Sequence, residues 1–122
     1  MDPDPDAILR VTTVDVPGQA RVVRLAGETG LAQRDRLGQA LAAALREPPP
    51  LLVVDLSGLA FCDSTGLSAL IRLRLATEDV GTTLVLAAPS RPVIRLIRSV
   101  CAEEMFVVHG SIAAALAGTG RA

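Results

Sequence analysis

The stretch Phe61-Cys62-Asp63-Ser64-Thr65-Gly66-Leu67 holds the residue types best suited to chemistry in this chain. One carboxylate and two hydroxyls stand in a row ahead of a glycine. Asp, Ser and Thr satisfy the unpaired amides of a helix start, and the positive partial charge there tolerates an added phosphate. A cap needs one such residue, whereas three are present. Ser64 therefore reads as a phosphorylation switch on a small protein-binding module.

Competing chemistries fit less well. Cys62 has no basic neighbour in sequence to activate it, and the single histidine, His109, falls in the last expected strand. A serine nucleophile elbow requires Gly-x-Ser-x-Gly, and Cys62 stands where the first glycine belongs. A phosphate-accepting role for Asp55 would call for a lysine and further acidic residues. The chain contains no lysine, all 12 of its basic side chains being arginine. Asp55 is read instead as the polar end of a buried strand. The same absence removes Walker-type phosphate binding and Schiff-base chemistry.

With two Phe, no Tyr or Trp and a net charge of −1, there is neither a stacking platform nor a basic field for nucleic acid. Cys62 and Cys101 are expected as thiols, and no ligand spacing points to a metal. No cofactor is expected. The acidic start Met1-Asp2-Pro3-Asp4-Pro5-Asp6 lacks the pattern of a secretory leader, and no apolar run reaches a membrane span. A cytoplasmic location and no membrane association follow as expectations. Arg72, Arg74, Arg91, Arg95 and Arg98 read as solvated helix faces, or as a rim for an acidic partner surface.

The elements that must hold the motif follow from periodicity. Ile8–Asp15 and Ala20–Ala26 read as strands of a hairpin turned at Pro17-Gly18 and closed by Gly27. Leu31–Arg46 is helical, with Leu37, Leu41, Ala44 and Leu45 on one face, and is stopped by Pro48-Pro49-Pro50. Leu51–Leu56 is a continuous apolar strand, and Leu59, Ala60 and Phe61 form an apolar surround to the motif. A helix over 63–78 carries Leu67, Leu70, Ile71 and Leu75, with Gly81 as C-cap. A strand over 82–88, a helix presenting Val93, Leu96, Ile97 and Val100, a strand over 105–109 and a helix capped by Ser111 complete the chain. The expectation is α/β: a mixed five-stranded sheet with its helices mainly on one side. One domain should span residues 8–118, with flexible termini at 1–7 and 119–122.

Leu51 through Leu75, with Asp63-Ser64-Thr65-Gly66-Leu67 at its centre, resembles the signature of STAS domains, and in particular of the bacterial anti-sigma factor antagonists. Element order and length extend the resemblance over nearly the whole chain. It implies no enzyme activity and a partner that is an anti-sigma factor with serine kinase activity. That kinase would phosphorylate Ser64, the residue after the aspartate, and a phosphatase would reset it. Asp63, Thr65 and Gly66 would shape the partner-binding loop, with Gly27 and Glu28 adding contacts. The family often carries Gly-Glu-Leu-Asp at the end of its second strand. Here Gly27-Glu28-Thr29-Gly30 keeps the first two residues and has lost the aspartate, which bears on partner choice. Asp35 is the nearest acidic residue that could compensate. The alternatives are a scaffold subunit of a larger sensory assembly without phospho-control, and a small-ligand or nucleotide binder using the same loop.

Overall fold

The computed structural model describes residues 8–119 and begins with the expected hairpin, β1 (Leu9–Val16) and β2 (Ala20–Thr29), turned through Gly18 at φ 73°. A 3-10 turn, Leu31–Gln33, leads into α1 (Arg34–Ala43). Then come β3 (Leu51–Cys62), α2 (Ser64–Val80), β4 (Thr83–Ala87), α3 (Arg91–Ser99), a second 3-10 turn (Glu103–Met105), β5 (Val108–His109) and α4 (Ile112–Thr119). The five strands lie side by side in chain order. β1 is antiparallel to β2, and every later neighbour is parallel.

Alternation along the central strands divides the core. Leu52, Val54 and Leu56 face Leu37 and Leu41 of α1, Leu67, Leu70 and Leu73 of α2, and Val93 and Ile97 of α3. Leu51 and Val53 face the other way, with Val22, Val85 and Ala115 of α4. Three helices thus cover one face and α4 covers part of the other, the arrangement expected of α/β crossovers. At the C-terminal end of α1, the Arg21 guanidinium donates to the carbonyls of Ala44 (2.6 Å) and Arg46 (3.1 Å) while pairing with Asp15 at 2.7 Å. It supplies donors to carbonyls that a helix end leaves unpaired.

Several local expectations are corrected. α1 is shorter than the 31–46 span, because its first turn is 3-10 and its last residue is Ala43. β2 runs through Gly27 to Thr29, and β3 continues to Cys62 where a strand ending at Leu56 was expected. Asp55 lies within β3 and is buried, so it does not end the strand. On α2 the buried stripe is Leu67, Leu70, Leu73 and Thr77, while Leu75 is exposed, as is Val100 beyond α3. Thr77 is accommodated because its hydroxyl donates to the Arg74 carbonyl at 2.7 Å. Met105 belongs to the 3-10 turn, leaving β5 with two residues. Gly81 is the left-handed C-cap of α2, and Ser111 Oγ accepts the Ala114 amide at 3.0 Å, both as the sequence indicates. The expected flexible segment 1–7 and residues 120–122 of the other lie outside the described residues, and α4 runs through Thr119.

Candidate functional site

β2 and β3 outrun the rest of the sheet. Pairing of β3 with β4 stops at Asp55 opposite Ala87, whereas β2 and β3 stay paired as far as Thr29 opposite Cys62. Two irregularities bend this ribbon, between Arg24 and Ala26 and between Gly27 and Glu28. Gly27 sits at φ 102°, and a Cβ there would run into the Ile8 carbonyl, so the close approach of β1 requires glycine.

The first turn of α2 rests on the ribbon's end. A Cβ on Gly66 would collide with Thr29 Oγ1 and stand 2.7 Å from Cys62 Sγ, so the helix backbone reaches the strand ends only without a side chain. Asp63 is the N-cap: its Oδ1 accepts the Thr65 amide at 2.9 Å and its carbonyl accepts the Leu67 amide at 3.1 Å. Ser64 is the first helical residue and is exposed, Thr65 is half-buried, and Gly66 is buried. The three polar residues therefore divide their work. Asp63 caps, and the Ser64 side chain is left facing solvent.

The strand segment Gly27-Glu28 comes to the same end of the molecule. Glu28 is exposed and in register with Phe61, two residues before the cap. Phe61 is 47% exposed and gives this end its large apolar surface, whereas Leu59, expected in that surround, is buried at 2%. Gly30, where the resemblance leads one to look for an aspartate, lies beside the cap. A Cβ on it would be 3.9 Å from Asp63 Oδ2 and 3.8 Å from the Phe61 ring. An aspartate there would place a second carboxylate next to Asp63, and this chain leaves that position neutral. Asp35 is 91% exposed in the first turn of α1, with Arg34 Nε 3.8 Å away.

Two buried titratable groups flank the site. Burial pushes the Cys62 thiol up; a hydrogen bond with Thr29 opposes this, and the neighbouring Asp63 charge adds to it. Both burial and the Asp63 charge disfavour the thiolate, and Cys62 packs as part of the core. His109 does not approach it: Cys62 packs in the core beneath α1–α3, while the imidazole lies against Gly118 of α4. For Asp55, burial alone would raise the carboxyl, but the Ser57 amide at 3.0 Å and Arg24 Nε at 2.8 Å outweigh it and hold it below the ordinary carboxylate range. Asp55 thus ties β2 to β3 where the ribbon leaves the sheet. Among the described residues no group of three or more His, Cys, Asp and Glu side chains gathers as a metal site. No helix among them is long and apolar enough to cross a membrane.

Sequence reasoning missed Thr29, which is fully buried and forms the seat for Gly66. A lone threonine near a strand end carries no signal until the helix start is known to land on it.

The family model described as "Mlab, STAS domain" matches residues 12–108. Among solved structures, an anti-sigma factor antagonist from Mycobacterium paratuberculosis is 28% identical, with 93% of this chain and 95% of that one covered and a TM-score of 0.78. The Bacillus cell fate determinant SpoIIAA in its phosphorylated form is 16% identical over 89% of this chain and 98% of that one, with a TM-score of 0.69. The murine anion transporter Slc26a9 is 21% identical over 89% of this chain but 19% of its own length, with a TM-score of 0.76. No curated protein sequence matches at a significant level. Across its central 97 residues and its whole topology, the chain belongs to the STAS domain family.

Proposed function

We propose that this chain is an anti-sigma factor antagonist whose binding to an anti-sigma kinase is switched off by phosphorylation of Ser64. The observation that carries the reading is the exposed Ser64 hydroxyl at the first position of α2, with the capping duty taken by Asp63. A kinase can reach this side chain without unfolding the helix start. The 28% identity to the mycobacterial antagonist over nearly both chains supports the same reading.

The switch follows from charge. Phosphorylation adds roughly −1.5 to −2 charges. In the free protein, water and the positive end of α2 accommodate them. In a complex covering Phe61 and Ser64, the phosphate would be desolvated next to Asp63, so the bound state loses more than the free one. A tenfold loss of affinity requires only about 1.4 kcal/mol. Glu28 and Gly27 would meet the same partner from the ribbon. Sequestration of the kinase would release a sigma factor, and a phosphatase acting on Ser64 would restore binding. The chain itself performs no catalysis in this scheme.

The test is recovery of tagged wild type and Ser64→Asp from the native host, with bound proteins identified by mass spectrometry. Wild type should retain an anti-sigma kinase that the folded Asp variant loses. Because the same fold serves as a minor part of an anion transporter, recovery of one large assembly by both variants would replace the switch with a scaffold role.

A further inference from the structure

Between α1 and α2 lies a groove of about 190 Å³ that opens beside Thr65. Leu41, Leu45 and Leu73 supply its apolar surface. It exists because the facing positions Ala42, Ala69 and Ala76 are too small to close the gap between the helices. Two cationic residues, Arg34 and Arg72, and Thr65 are its polar lining residues, and no acidic residue lines it. Arg34 meets Asp35 at 3.8 Å, too long for a hydrogen bond, and among the described residues no ion pair engages Arg72.

We infer that this groove binds an aliphatic carboxylate, with the chain along the Leu and Ala lining and the head group on Arg34 and Arg72. Apolar concavities with a few convergent polar groups are where small ligands bind, and this one lies below the roughly 300–1,000 Å³ usual for drug-sized molecules. It suits one unbranched chain. A nucleotide would need more room and an aromatic or glycine-rich wall, neither of which lines it. A docked helix, about 10–12 Å across with its side chains, is far larger than the roughly 190 Å³ the groove encloses. Guanidinium groups bind carboxylates through paired N–H donors, which fixes the sign and geometry of the head. The site is separate from the partner-binding role of Ser64, although Thr65 borders both.

The test is an NMR titration of the full chain, ¹⁵N-labelled, with decanoate, decanol and acetate below the concentrations at which the first two aggregate. Decanoate should shift the amides of residues 38–45 and 65–76, acetate should shift none, and decanol should bind about tenfold more weakly. The double substitution Arg34→Gln and Arg72→Gln should bring decanoate down to decanol's level. Ala69→Phe should abolish binding, and Ala42→Leu, at an exposed position of α1, should weaken it without risk to the fold. The inference is overturned by absence of shifts at about 1 mM decanoate, by shifts centred elsewhere, by equal binding of decanoate and decanol, or by unchanged affinity in Ala42→Leu. None of these results depends on recovering a kinase, so the groove and the Ser64 switch stand or fall separately.

Discussion

β2 and β3 are one continuous pair of strands with two characters. Over Leu51–Leu56 every residue of β3 is buried, and Leu52, Val53, Val54 and Leu56 have no exposure at all. Over Ser57–Cys62 it leaves β4 behind, bends at two irregularities, and exposes Ser57, Gly58, Ala60 and Phe61. The first half is held by apolar area. The second adds to the buried Leu59 and Cys62 two close fits, Gly27 under the Ile8 carbonyl and Gly66 on Thr29 and Cys62, with Arg24 on Asp55 at the junction. The buried half gives the domain its stability, while the projecting half presents surface.

If that division is right, substitutions in the two halves should differ in both size and kind. Leu52→Ala in the buried half should have the largest effect, a loss of about 2–5 kcal/mol measured by urea unfolding. A loss under about 1 kcal/mol would break the comparison by showing that the core collapses around the gap. Gly66→Ala should follow at about 1–3 kcal/mol, because the added methyl is forced against Thr29 and Cys62. Gly38→Ala, where nothing lies within 4 Å of the added Cβ, should stabilise slightly in the same assay. Equal effects at the two glycines would remove the claim that close packing seats α2.

Asp55 marks the junction of the halves, and its effect should depend on pH. Its carboxyl is held below the ordinary range when folded, so its contribution is complete above the unfolded carboxylate pKa and is lost as pH falls through the folded one. Asp55→Asn should therefore destabilise near neutral pH by about 1–2 kcal/mol, an amount reduced because Arg24 is 58% exposed. The deficit should narrow in acid. Unfolding curves for both proteins between neutral and acidic pH would show it, and parallel curves would mean that Asp55 contributes by shape alone.

The buried half was legible because an unbroken run of Leu and Val admits few other readings, and the helix motif because Asp-Ser-Thr-Gly is dense in capping residues. The projecting half was not. The apolar run breaks at Ser57-Gly58, and only pairing of Gly58 with Ala26 across a register break carries the strand past it. Asp55 looked like a strand end because its partner, Arg24, is 31 residues away and becomes visible only through the Arg24–Asp55 register. On α2 the sequence offered Leu75 for the core, yet the helix turns Thr77 inward, since a hydroxyl bonded to the backbone carries little burial cost. In each case long-range geometry decided what local pattern could not.

The smallest stability effect should come from the residue with the largest proposed role. Ser64 is exposed, its side chain does not cap the helix, and the position begins α2. Ser64→Ala and Ser64→Asp should both unfold within about 0.5 kcal/mol of wild type. For the Asp variant, attraction to the helix N-terminus and repulsion from Asp63 act in opposite directions. Raising the salt concentration should bring that variant still closer to wild type, because both contributions are screened at an exposed site. A loss above about 2 kcal/mol would place Ser64 in the structural framework with Gly66. Any failure of the Asp variant to bind a partner would then report unfolding, and the distinction between the half that holds the fold and the half that presents it would be lost at the position where it matters most.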